Sequence, residues 1–148
     1  MSWSVEVNEA ADQAIRTLAP NAADGRETGG ILLGRGPDHT GAIRVEQAGD
    51  AGPKAIRRPN FFLRDLKHAR ALADEAWERD GAVWIGEWHT HLEGSGDPSD
   101  ADLDTYVRLL ATADLQFDVF VSIISTPGEA DGWDSPDLWP WVLELGHH

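Results

Sequence analysis

Apolar residues along the chain fall into short alternating or continuous runs separated by three helical stretches. "WSVEV" at residues 3–7 alternates as a strand, and Asn8 is placed to cap a helix over "EAADQAIRTLA" that stops at Pro20. "TGGILLGRG" (28–36) is an apolar run bounded by glycines and "GAIRVEQAG" (41–49) alternates again, so the turn-rich "RGPDHTG" between them predicts a hairpin. Residues 48–60 show no period and read as a loop. Over residues 61–79 the positions Leu63, Leu66, Ala69, Leu72, Ala73, Ala76 and Trp77 follow helical spacing. "GAVWIGEW" (81–88) has the apolar character of a buried strand, with Trp84 and Trp88 as packing residues. A second long helix is predicted over "SDADLDTYVRLLATA" (99–113), with Leu103, Tyr106, Val107 and Leu110 on its inner face. "FDVFVSIIST" (117–126) is a β-branched and aromatic strand, 126–137 a Pro/Gly/Asp loop, and "DLWPWVLEL" (137–145) a final strand in which Pro140 marks an edge. Gly146 to His148 read as a frayed end.

This order of elements predicts a mixed α/β fold without internal repeats or linkers. A length of 148 residues and a hydrophobic content of 41% fit one domain, taken as residues 1–146. "MSWSVEVNEA" lacks the basic and apolar regions of a signal peptide, and no apolar stretch approaches the ~20 residues that cross a bilayer. A soluble cytoplasmic protein is therefore expected. The cysteine count is zero, which excludes disulfides, Cys-ligated zinc and a cysteine nucleophile together. Any metal must be held by His, Asp or Glu.

The net charge of −14 opposes nucleic acid or an anionic membrane as partner. It is unevenly spread. Residues 94–148 carry eleven acids and one base, whereas residues 54–70 carry Lys54, Arg57, Arg58, Arg64, Lys67 and Arg70 against Asp65 alone. That basic island reads as a solvated face or as a docking patch for an acidic surface.

The chemistry concentrates in "WHTHLEGSGDPSDAD" (88–102). Side chains at i and i+2 of an extended segment share a face, so His89 and His91 present two imidazoles together. Ser99-x-x-Asp102 has the form of a capping box, which accounts for both residues structurally. Helical phase nevertheless separates the aspartates: Asp102 is turned roughly two hundred degrees from Asp100, beside the stripe of Tyr106 and Leu109. An acid near the interior needs a partner, and a metal held by His89 and His91 supplies one. Two His and a carboxylate with an open position form the ligand set of a catalytic zinc. A hydrolytic zinc also needs a base. Glu27, Glu87 and Glu93 are candidates, and Glu27 is the best placed, at the start of a glycine-flanked strand that can approach closely.

"ETGGILLG" followed by "HTHLEGSGDPSDAD" resembles the JAMM motif, Glu…His-x-His-x7-Ser-x2-Asp, of the MPN-plus (JAB) zinc metalloproteases, and "IGEWHTH" is similar to the prokaryotic JAB branch. Thr90 and Leu92 stand where many members have Ser and Pro. The resemblance implies a cytidine-deaminase-like JAB/MPN fold, a mixed β-sheet packed by helices. It implies one zinc ligated by His89, His91 and Asp102, with Glu27 taking a proton from the attacking water and passing it to the leaving amine, and Ser99 stabilising the oxyanion. The implied substrate is the amide bond after the C-terminal glycine of a ubiquitin-like protein or its conjugate. Deconjugation, precursor maturation and sulfur-carrier processing all fit, and the basic segment with Phe61-Phe62 is a candidate clamp for the substrate tail. A catalytically silent MPN scaffold is the alternative. The metallo-β-lactamase pattern is broken at Leu92-Glu93-Gly94, and zinc deaminases need cysteine ligands. Oligomeric state is not legible.

Overall fold

The structure is a computed structural model that describes residues 2–93, 95–111 and 119–144. The side chains of Leu109 and Leu110, the outer ends of the segments expected at 99–113, 117–126 and 137–145, and Gly146 to His148 lie outside the described residues.

β1 (Ser4–Val7) leads into α1 (Glu9–Leu18), whose first turn is closed by the Asn8 carboxamide accepting from the Ala11 amide at 2.8 Å. Pro20 does not end the helical stretch but changes its winding, since Ala19–Asp24 continue as a 3-10 helix. β2 (Gly29–Arg35) and β3 (Ala42–Ala48) form the expected antiparallel hairpin. α2 (Leu66–Asp80), β6 (Val83–Thr90), α3 (Asp100–Ala111), β7 (Val119–Gly128) and β8 (Gly132–Glu144) follow, and between β3 and α2 lie two short strands, β4 (Ile56–Arg58) and β5 (Phe61–Leu63).

Six strands form one mixed sheet in the order β1-β3-β2-β6-β7-β8, with β1/β3 and β6/β7 parallel and the other neighbours antiparallel. Helices cover both faces, which is why the central strands read as continuous apolar runs. One core joins Ala11 and Ile15 of α1 to Leu32, Ile43, Val45, Ile85, Trp88 and Val121. The other joins Ala69 and Ala76 of α2 and Tyr106 of α3 to Ile31, Leu33, Trp84 and Phe120. No helix among the described residues is long and apolar enough to cross a membrane.

A register slip sits between β2 and β6: Leu32 pairs with Gly86 and Leu33 with Trp84, leaving Ile85 as the extra residue of a β-bulge. Unbroken alternation would put Trp84 and His89 on opposite faces. With the bulge, Trp84 packs in the cluster that contains Tyr106, and His89 meets the hydroxyl of that same tyrosine.

Three expectations need correction. Residues 48–60 are not all loop, and the segment beginning at Phe61 is not yet helix: β4 and β5 pair as a hairpin, and α2 starts only at Leu66, capped by Asp65. Three-residue strands are too short to display a period, and this pair is held by a distant segment rather than by its own pattern. The 126–137 stretch is largely strand, because the β7–β8 hairpin extends to Gly128 and Gly132. β8 is an edge strand with one solvated side, where Pro and Asp are tolerated, as Pro140 anticipated. Finally, Leu66, Trp77, Leu103 and Val107 are exposed rather than inward. The small residues Ala69 and Ala76 carry the α2 contact and Tyr106 carries that of α3, so the true stripes are narrower than the apolar patterns.

Candidate metal centre and its cleft

The centre lies at the carboxyl end of β6 and the amino end of its antiparallel neighbour β2. His89 is the penultimate residue of β6 and His91 follows the strand, its amide donating to the Ser125 carbonyl of β7 at 2.9 Å. The two rings share a face, with centroids 4.9 Å apart. Asp102 arrives from the first turn of α3. Its Oδ2 accepts from the Ser99 amide at 2.8 Å while the Ser99 hydroxyl accepts from the Asp102 amide at 3.1 Å, a reciprocal capping box. The cap thus aims the carboxylate: the same Oδ2 lies 3.1 Å from His89 Nε2 and 3.0 Å from His91 Nε2, and the two Nε2 atoms are 3.1 Å apart.

This trio could hold a metal ion. Donor atoms around a tetrahedral zinc with bonds of ~2.0–2.1 Å stand ~3.3 Å from one another, close to the observed triangle. Tautomers agree. His91 Nδ1–H donates to the Ser95 carbonyl at 2.8 Å, so its neutral ring turns a bare Nε2 toward the centre. His89 Nδ1 faces the Tyr106 hydroxyl at 3.3 Å, which is joined in turn to the Ser122 hydroxyl at 2.8 Å. Burial works to raise the Asp102 pKa, but hydrogen bonds from His89 and His91 hold it well below the usual carboxylate range. Burial works to lower that of His91, and the Asp102 hydrogen bond more than reverses it.

Glu27, separated by Thr28 from the glycine pair that opens β2, lines a cleft of about 410 Å³ with Pro59, Asn60, His91, Leu92, Glu93 and Ser99. The close approach depends on Gly29, where a Cβ would stand 2.2 Å from the Trp88 carbonyl and 2.8 Å from His89 Cβ. Desolvation pushes the Glu27 pKa up to about 7, against the lowering influence of His89 and His91. Its main chain is gripped by β4: the Glu27 amide donates to the Arg58 carbonyl at 2.8 Å, and Arg57 Nε donates to the Glu27 carbonyl at 2.9 Å.

All five motif residues are therefore gathered at one place, and the other two acids separate. Glu93 is exposed at the rim, whereas Glu87 is buried in an ion pair with Arg64. The basic island divides accordingly. Arg57 and Arg64 are structural, and Arg58, which lies 5.9 Å over the Phe61 ring, Lys54, Lys67 and Arg70 face solvent. Replacing Arg64 by Met leaves Glu87 buried without a counter-charge, and urea unfolding is expected to show a loss of about 3–5 kcal/mol. Retained stability would mean that the pair does not hold the segment between β5 and α2 to β6.

Sequence reasoning overlooked Thr90. Its fully buried hydroxyl accepts from the Thr28 amide at 2.9 Å and donates to the Thr28 carbonyl at 3.3 Å, locking the residue next to Glu27 onto β6. A β-branched hydroxyl residue between two ligands was the available signal. It also missed β4, for which the Arg57-Arg58 pair beside Pro59 gave no periodic sign.

Comparison with known proteins follows the same lines. The model of prokaryotic homologs of the JAB domain matches residues 9–138. The chain is 30% identical, over 90 residues, to the CD-NTase/cGAS isopeptidase of Enterobacter hormaechei subsp. hoffmannii, covering 61% of this chain and 49% of the relative. It thus spans about half the length of that curated relative. The solution structure of a Desulfitobacterium hafniense protein superposes with a TM-score of 0.67 at 19% identity, covering 95% of this chain and 85% of that one. A Salinibacter ruber protein gives 0.51 at 21% identity over 92% and 80% of the two chains. These structural likenesses speak to the fold, a mixed sheet packed by helices on both faces. On the match to its family model, the chain belongs to the prokaryotic JAB-domain family.

Proposed function

We propose that residues 1–146 form one zinc-dependent isopeptidase domain that hydrolyses the amide bond after the C-terminal glycine of a ubiquitin-like protein. The observation that carries this reading is the convergence of Asp102 Oδ2 and the two histidine Nε2 atoms, 3.0–3.1 Å apart, beside a cleft lined by Glu27 and Ser99. The isopeptidase named among its relatives agrees with it.

His89, His91 and Asp102 would hold the zinc, which when bound supplies Lewis-acid polarisation of the scissile carbonyl and a water of lowered pKa. Glu27 takes a proton from the attacking water as its oxygen bonds to the carbonyl carbon. It returns that proton to the amine nitrogen as the C–N bond breaks. Ser99 donates to the carbonyl oxygen as negative charge builds there. Its hydroxyl accepts from the Asp102 amide, which leaves its own proton available. The tip of the β4–β5 hairpin, at Pro59 and Asn60, lines the cleft together with Leu92 and Glu93, and such a cleft suits an extended tail.

The test is incubation of the zinc-loaded protein with ubiquitin-like proteins fused at their terminal glycine to an amine-linked reporter. Release of the reporter is expected, falling about 10²–10³-fold in Ser99→Ala with zinc content unchanged. Binding of the fusions without release would replace this reading with that of a silent scaffold. Attaching the reporter through a lysine side chain, a peptide bond or a single amino acid distinguishes deconjugation, maturation and sulfur-carrier processing.

A further inference from the structure

The loop between His91 and Ser99 is fastened from outside by two tryptophans of the edge strand. Trp141 Nε1–H donates to the Gly96 carbonyl at 2.7 Å. Trp139 lies flat against Gly96: a Cβ at that position would meet three atoms of the Trp139 ring at 2.3–2.6 Å. The Trp139 ring is itself fixed, because its Nε1–H donates to Thr126 Oγ1 of β7 at 2.9 Å. One residue before the clamped glycine, the Ser95 carbonyl receives His91 Nδ1–H at 2.8 Å, and the Ser95 hydroxyl accepts from the Asp97 amide at 2.9 Å. Both tryptophans are partly exposed, so burial of apolar surface alone does not account for two large rings here.

We propose that Trp139 and Trp141 are positioning residues for the metal centre, holding the Ser95 carbonyl where it sets the tautomer and direction of the His91 ring. This rests on the zinc reading above. The chain of contacts runs from the sheet edge through backbone, not through charge: β8 indole, Gly96, Ser95 carbonyl, His91 Nδ1, and so to Nε2. Gly96 is required by close approach, since it is absent from the glycines of positive φ. Outer-shell partners that orient a ligating histidine typically change metal affinity 10–100-fold, and a clamp two links removed is expected to act at the lower end of that range.

The experiment measures zinc affinity by chelator competition for the wild type, Gly96→Ala, Trp141→Phe, Trp139→Ala and the Gly96→Ala/Trp139→Ala double variant. The absorption spectra of the cobalt-loaded forms are recorded alongside. Affinity is expected to fall about tenfold in Gly96→Ala and in Trp141→Phe, which keeps an aromatic side chain but has no N–H to donate to the Gly96 carbonyl. In the Trp139→Ala background, where the added methyl has room, Gly96→Ala should cost less than about twofold, because the two residues no longer touch. With substrate, kcat falls while KM stays constant. Unchanged zinc affinity and cobalt spectra in Gly96→Ala and Trp141→Phe overturn the clamp, while one zinc per wild-type chain leaves the functional reading standing. A rise in KM alone, with affinity unchanged, also overturns it and makes the tryptophans a substrate contact. A wild type that holds no zinc overturns both.

Discussion

Replacing Glu27 by Gln is expected to lower turnover about 10²–10⁴-fold while the protein keeps its zinc and gains stability. The amide preserves the shape and the main-chain grip of Arg57 and Arg58 but cannot accept the proton of the attacking water. Glu27 is 6% exposed, and desolvation has pushed its pKa up to about 7, so the base sits near the range where it can both take and release a proton. Activity requires the ionised form. It is therefore lost as pH falls through a limb at about 7 or, where a bound cation favours the carboxylate, below it. The stability gain follows from the same burial. Folded Glu27 retains a proton that the unfolded chain releases from about 4.5 upward, so its charge opposes folding increasingly as pH rises from about 4.5 to about 7. Gln has no charge to desolvate. Metal-free Glu27→Gln should exceed metal-free wild type by about 1–3 kcal/mol in urea unfolding at pH 8, with the difference vanishing near pH 4. A variant as active as wild type would remove Glu27 from the chemistry, and equal stability at pH 8 would mean that the site is wetter than its burial indicates.

Asp102→Asn is expected to cost more zinc affinity than the ~10–100-fold typical of outer-shell partners, because it removes a ligand charge rather than an orienting contact. The Ser99 cap is untouched and the Asn side-chain oxygen can still accept from the Ser99 amide, so the change leaves the start of α3 closed and separates two duties that one carboxylate oxygen performs in the native chain. Equilibrium dialysis followed by metal analysis should find about one zinc per wild-type chain and almost none in the variant. Circular dichroism should be unchanged. His91, whose pKa is raised by Asp102, makes protons compete with the metal, so wild-type affinity weakens as pH falls. Stoichiometric zinc in Asp102→Asn would move the site elsewhere.

The meeting of His89, His91 and Asp102 was legible in sequence because they come from two adjacent elements with simple periods: a strand that puts His89 and His91 on one face, and a helix start that turns Asp102 away from Asp100. Ser99 and Asp102 keep their capping roles and their place at the cleft together, so the structural and chemical readings of that box are one arrangement. Glu27 was harder, since its distance from His89 is closed only by the pairing of β2 with β6, and composition left Glu87 and Glu93 open. Arg64 then explains Glu87, a long-range contact that no local pattern announces. The β4–β5 hairpin stayed hidden for the same reason: it is stabilised through the Glu27 main chain, far away in sequence. Exposed Leu66, Trp77, Leu103 and Val107 show the opposite failure, in which apolar residues at helical spacing mark more surface than the sheet covers.

The bulge at Ile85 gives β6 two independent phases. Upstream of it, alternation answers to the packing of Trp84; downstream, it answers to the placement of His89 beside His91 and Asp102. A deletion of Ile85 would not merely shorten the strand. It would leave Trp84 four residues before His89, where plain alternation still gives both side chains one face, and would take the Ile85 side chain out of the core beneath α1. The extra residue thus lets the strand feed a third side chain to the opposite core without turning the indole or the imidazole away from its own side.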